Sequence, residues 1–89
     1  MDLVLRAIAD PRRRENMRLV WTTELPASDI ASHIVDVTRS AISQHLSVLK
    51  NASLLTERPD GNRRLYRADA VEMKRLRRCL DDYWSSGLD

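Results

Sequence analysis

Thr38-Arg39-Ser40-Ala41-Ile42-Ser43-Gln44-His45-Leu46-Ser47-Val48-Leu49-Lys50-Asn51 decides how this chain is read. Thr38 is a good N-cap residue. Wound at about 100° per residue, the segment separates into two faces. Ile42, Leu46 and Leu49, flanked by Ala41, His45 and Val48, make one apolar arc. The opposite arc gathers Arg39, Ser40, Ser43, Gln44, Ser47, Lys50 and Asn51, with no acid among them. A solvated helix face usually carries Glu and Lys at i,i+4 spacing, and this one does not. Short hydroxyls and an amide in the centre, with cations at the edge, suit the base edges and phosphates of a DNA major groove.

The neighbouring segments extend that reading. Before it, Pro26 opens a short helix with Ala27, Ile30, Ala31 and Ile34 on one stripe, and a turn at Val35–Val37 joins the two. Two short helices around a tight turn, the second with a hydrogen-bonding outer face, make a helix-turn-helix. After it the period changes. Leu54–Arg58 and Arg63–Arg67 are short strands around a four-residue turn, Pro59-Asp60-Gly61-Asn62, and so predict a hairpin. Gly61 would let the tip approach a surface closely, with Arg58, Asn62, Arg63 and Arg64 beside it. Arginines on an exposed hairpin also discourage edge-to-edge pairing, which is the plainer account of them.

Further out, residues 3–8 predict a short helix. Asp10-Pro11 caps a second helix from about 11 to 21, and Asp69 with Glu72 predicts a capping box opening a last helix to about Trp84. In that helix Met73, Leu76, Leu80 and Tyr83 recur at steps of 3, 4 and 3, with Trp84 alongside. Folding back onto the same chain is one use of such a seam. Pairing with a second copy is the other, with Leu3 and Ile8 contributing. Composition favours the second. Leu, Ile and Val number 12, 4 and 6 among 89 residues and there is no Phe, a thin supply for a free-standing core, since chains of this length bury only about 60–65% of their surface.

Charge is unevenly placed. The chain carries 15 basic and 13 acidic groups, net +2, but residues 38–67 hold six basic groups against Glu57 and Asp60, and each flank is slightly acidic. A concentrated basic middle predicts a polyanion partner. The acidic flanks and the lack of a long apolar run predict neither a membrane surface nor a span. The single Cys79 predicts no disulfide framework, and with the acidic start it points to a reducing, cytoplasmic setting. No nucleophile–base pair, metal constellation or Gly-rich phosphate loop is present to predict an enzyme.

Four segments together resemble the ArsR/SmtB-type winged helix-turn-helix transcriptional regulators, across about residues 5 to 84. They are Ala7-Ile8-Ala9-Asp10-Pro11-Arg12-Arg13-Arg14, Asp29-Ile30-Ala31, Thr38 to Leu49, and Gly61-Asn62-Arg63-Arg64-Leu65-Tyr66. The resemblance implies a mostly α fold with a small antiparallel hairpin, and a homodimer that binds an inverted-repeat operator and represses transcription. It makes residues 1–89 one DNA-binding domain: residues 1–21 and 69–86 for dimerisation, 26–51 as the helix-turn-helix, 54–67 as the wing. The recognition-helix contacts would be Thr38, Arg39, Ser40, Ser43, Gln44, Ser47 and Lys50. The wing contacts would be Arg58, Gly61, Asn62, Arg63 and Arg64. The dimer interface would comprise Leu3, Ile8, Met73, Leu76, Leu80, Tyr83 and Trp84.

Several positions depart from the family pattern. Asn16 replaces a usual aliphatic residue, Val35 is one extra residue in the helix-turn-helix turn, and Ser53 stands where a Gly commonly supplies a left-handed C-cap. No metal or other cofactor is expected. The first motif helix begins Leu25-Pro26-Ala27-Ser28-Asp29, without a Cys pair, and the last helix has Asp81 and Asp82 but no His. His45 reads as a core-edge residue, His33 as a surface partner of Asp29, and Cys79 as a buried inert thiol. The Arg12-Arg13-Arg14 run opposes its helix dipole, so pairing with Asp10 and Glu15 or contact with phosphate would have to explain it. A protein-interaction module without DNA binding, or a sensor for an unidentified small molecule, metal or oxidant, remain the competing functions.

Overall fold

The structure, a computed structural model, describes residues 1–87. Its elements run α1 (Asp2–Ala9), α2 (Pro11–Leu19), β1 (Leu25–Pro26), α3 (Ala27–His33), α4 (Arg39–Asn51), β2 (Leu55–Asp60), β3 (Arg63–Ala68) and α5 (Ala70–Gly87). Two of the predicted caps form as read. Asp10 accepts from the Arg12 amide at 2.8 Å, with Pro11 in the first turn, and the Thr38 hydroxyl accepts from Ala41 at 3.0 Å. The box at Asp69 forms only in one direction. Asp69 accepts from the amides of Val71 and Glu72, but its own N–H donates to the Leu54 carbonyl and Glu72 pairs with Arg75.

Tertiary pairing changes the hairpin and adds a strand. β2 and β3 are antiparallel with Asp60 opposite Arg63, so the turn is the two residues Gly61-Asn62 rather than four. Gly61 has φ +65, as the first position of a type II′ loop requires. Pro59 lies within β2, which is tolerable because β2 is an edge of the β1-β3-β2 sheet. On the other edge, Leu25 and Pro26 pair with Tyr66 and Leu65. α2 stops at Leu19, two residues short of expectation, because the Val20 carbonyl accepts from Ala68 at the end of β3. α5 runs on past Trp84 to Gly87.

The core lies where α2, α3 and α4 meet the sheet: Val20, Ile30, Ile42, Leu46, Leu49 and Leu54 are fully buried. Asn16 is buried with them at 1% exposure. Its Nδ2 donates to the Arg12 carbonyl, while Oδ1 is the only buried side-chain polar atom among the described residues without a partner. An unpaired buried carbonyl costs about 1–3 kcal/mol.

Two other departures are absorbed by left-handed backbone. Asp36 takes φ +64 in the turn between α3 and α4 while Val35 projects into solvent, so the extra residue is accommodated there. Ser53 also has φ +64, and the C-cap expected to be lost is made by serine instead. Ser53 donates to the Lys50 carbonyl and Leu54 to that of Leu49, the paired bonds of a Schellman motif.

The arginine run has an account that the sequence did not suggest. Arg13 donates to the carbonyls of Ala7 (2.6 Å) and Arg6 (3.0 Å), and Arg14 to those of Ile8 (2.7 Å) and Ala9 (3.1 Å). All four are carbonyls in the last turn of α1, which lack helical partners there. The cations therefore sit at the negative end of α1's dipole rather than merely at the positive end of α2's. Arg13 also reaches Asp10 at 3.5 Å.

Candidate nucleic-acid interface

α4 is held by its apolar arc and shows its other face to solvent. Ile42, Leu46 and Leu49 are buried, whereas Thr38, Arg39, Ser40, Ser43, Gln44, Ser47 and Lys50 are all exposed. Val48, placed on the apolar arc by the wheel, lies exposed at its margin. His45 is half-buried, and the hydrogen bond from the Arg12 amide, with the charge of Arg13, holds the Asp10 carboxyl below the ordinary range. His33 lies 2.7 Å from the backbone carbonyl of Asp29 and not on its carboxylate.

The hairpin stands next to this face. Arg58, Gly61, Asn62, Arg63 and Arg64 are exposed along it. Because β1 pairs with β3, the start of α3 is drawn up beside the hairpin. A cleft of about 270 Å³ results, lined by Ser28, Arg39, Asn62, Arg63, Arg64 and Tyr66 among others. Three arginines from two separate elements thus line one hollow. Ser28 and Tyr66 were missed from the sequence. The signal that would have found them is the two-residue strand Leu25–Pro26, too short to show a period.

The cations are not bare. Lys50 Nζ donates to Glu57 Oε1 at 2.6 Å, and Arg64 Nη1 reaches the same oxygen at 3.2 Å. Arg63 pairs with Asp60 at 3.0 Å. Arg58 grips both oxygens of Glu24, at 2.6 and 3.0 Å. Arg39 and Arg67 make no ion pair with a described residue. The local surplus of cations is therefore partly neutralised by three acids, one of which, Glu24, comes from outside the basic segment. The hydrogen bond from Lys50, with the nearby charges of Lys50 and Arg64, holds the Glu57 carboxyl below the ordinary range, and that from Arg58 does the same for Glu24. Partial burial, then the charge of Glu57, pushes the Tyr66 hydroxyl up.

The far side of the molecule is different in kind. Leu3 is 65% exposed, Tyr83 74% and Trp84 67%, with Leu5, Trp21, Val71 and Leu80 also open. Ile8 and Met73 are half-buried. Leu76, which the seam reading offered to a partner, is already buried in the single chain. The inner part of the α5 stripe therefore folds back and the outer part is left open. A groove of about 440 Å³ runs beside it, lined by Ile8, Met17, Arg18, Trp21, Met73 and Leu76 among others. Cys79 is half-buried rather than buried, with a free thiol. Among the described residues, no three His, Cys, Asp or Glu side chains gather as a metal site, and no helix is long and apolar enough to cross a membrane.

Comparison with known proteins gives consistent results. The profile of bacterial regulatory proteins of the arsR family matches residues 10–57. The chain is 38% identical over 87 residues to the HTH-type transcriptional regulator Rv2034 of Mycobacterium tuberculosis, covering 98% of this chain and 80% of that protein. It is 36% identical over 61 residues to the transcriptional repressor SdpR of Bacillus subtilis, covering 68% and 67%. Among solved structures, the homodimeric winged helix-turn-helix DNA-binding domain of Mb0332 from Mycobacterium bovis superposes with a TM-score of 0.75. It shares 25% identity, with 99% of this chain and 81% of that one covered.

Proposed function

The chain belongs to the arsR family of bacterial regulatory proteins and is a winged helix-turn-helix DNA-binding transcriptional regulator; we propose that it acts as a homodimeric repressor on an inverted-repeat operator. The observation that carries the reading is the meeting of α4's acid-free face with the arginine-lined cleft at the hairpin. Ser40, Ser43, Gln44 and Ser47 read base edges, Thr38 starts the helix against the backbone, and Arg39 and Lys50 take phosphates. The hairpin lays Arg58, Asn62, Arg63 and Arg64 along the adjacent backbone, with Gly61 leaving the tip free of a side chain.

Residues 1–21 and 69–86 form the dimerisation part, 26–51 the helix-turn-helix and 54–67 the wing. The open apolar side chains Leu3, Leu80, Tyr83 and Trp84, with Ile8 and Met73 at their edge, are what a second copy covers. Its α4 then enters a major groove about 34 Å away. Repression is supported by the likeness to SdpR, and the site of action is the cytoplasm.

The test is a salt titration on fragments selected from random duplexes. Log affinity should fall linearly with log salt, with a slope near −0.9 per phosphate contact, and the selected fragments should share an inverted repeat. A flat salt response would leave the interaction-module reading in its place. An asymmetric or absent consensus would remove the dimeric operator. Transcription rising when the protein is supplied to a reporter carrying the selected site would remove repression.

A further inference from the structure

We propose that Glu57 sharpens discrimination between operator and other DNA by holding Lys50 of the recognition helix and Arg64 of the wing on one carboxylate. This rests on the DNA-binding reading above. The geometry is specific. A single oxygen accepts from both cations, at 2.6 and 3.2 Å. The acid lies inside and the cations outside: the side chains are 16% exposed for Glu57, against 48% and 59% for Lys50 and Arg64. Tyr66 lies directly across from Glu57 in the β2–β3 register and is itself half-buried beside it. One acid therefore joins the C-terminal turn of α4 to both strands of the hairpin.

Each pair alone is weak, since solvent screens exposed ion pairs, and a phosphate can replace either. What a phosphate cannot remove is the carboxylate. Drawing both cations away leaves Glu57 half-buried, unpaired and beside the incoming negative charge. On arbitrary DNA nothing else holds a phosphate at that place, so Lys50 and Arg64 stay with Glu57 and add little. On the operator, base contacts from Ser43, Gln44 and Ser47 seat α4 and hold the backbone in position until the cations exchange partners. Glu57 thus lowers the sequence-independent part of affinity more than the sequence-dependent part.

Glu57→Gln removes the charge and keeps the shape of the side chain. On a duplex of arbitrary sequence, it should bind severalfold tighter, with a salt slope steeper by about 0.9–1.8, one to two phosphate contacts. The ratio of selected-site to arbitrary affinity should fall. Glu72→Gln, the same charge change on α5, outside the recognition helix and the hairpin, should alter neither. An unchanged slope in Glu57→Gln, or an unchanged ratio, overturns the proposal. A flat slope in the wild-type protein instead overturns the DNA-binding reading itself. If Glu57→Gln melts early, Lys50→Gln and Arg64→Gln serve in its place. Each should change the wild-type slope on arbitrary DNA by well under one contact, and the loss of a full contact from either overturns the proposal.

Discussion

α4 and α5 are both amphipathic, and they end in opposite situations. α4 spends its apolar stripe inside the protomer, with Ile42, Leu46 and Leu49 buried, and turns hydroxyls and cations outward. α5 buries Leu76 and leaves Val71, Leu80, Tyr83 and Trp84 in solvent. An apolar stripe shows that a helix face will be covered, but not by what. The polar face of α4 has the chemistry of a polyanion contact because its stripe is already satisfied. The apolar face of α5 has the chemistry of a protein contact because its stripe is not.

The contrast is broken most directly in the two stripes. Leu46→Ala should cost about 2–5 kcal/mol by opening a cavity against α2 and the sheet, seen as a large drop in urea midpoint at every protein concentration. Leu80→Asp should leave the protomer folded and act on association, raising the dimer dissociation constant roughly a hundredfold, about 3 kcal/mol, since each copy contributes one charge. Sedimentation at several concentrations separates the two. An early-melting Leu80→Asp protomer would mean that α5 is part of the core after all.

Smaller effects sharpen the account of why α4 sits so firmly. Asn16→Leu replaces the unpaired Oδ1 beneath α4 with a methyl group and should stabilise by about 1 kcal/mol; a loss would mean that the amide is paired or that the site cannot admit the added volume. Ser53→Gly relieves a left-handed serine at the end of α4 and should stabilise by about 0.5–1 kcal/mol, with DNA affinity unchanged.

The smallest expected effect is on pH. Glu57 ties α4 to the hairpin and has its pKa lowered from the ordinary 4.5. Its contribution is present above that value and lost as pH falls through the lower folded value. Thermal melting should therefore drop on acidification below about 4.5, and less steeply in Glu57→Gln.

Local rules made the helices and the reading face legible. Thr38 and Asp10 cap as their side chains dictate, and the wheel places Ser40, Ser43, Gln44 and Ser47 outside because Ile42, Leu46 and Leu49 must go inside. Such signals need only neighbours within a turn or two. They failed where a partner lies far along the chain. The Val20 carbonyl is taken by Ala68, shortening α2. Asp69's amide is taken by Leu54, dividing the capping box. Leu25 and Pro26 pair with β3 although two residues carry no period. The Arg12–Arg14 run was read against its own helix, which accounts for the Arg13–Asp10 pair but not for the carbonyls of the preceding helix that Arg13 and Arg14 cap, five to seven residues back.

The sequence by itself determined the order of the five helices and the hairpin, the polarity of α4's outer face, the basic segment at residues 38–67 and the family resemblance, because each depends on spacing or on residue type alone. Tertiary structure decided how much of that basic charge is available. Glu24 and Arg58 are 34 residues apart along the chain, and Lys50 and Glu57, though only seven apart, belong to a helix and a strand. Only the three-stranded sheet brings those carboxylates within hydrogen-bond distance of the cations. It likewise decided that Leu76 turns inward while Leu80, Tyr83 and Trp84 remain open, because burial depends on which surfaces meet, and a stripe of apolar residues does not specify its own partner.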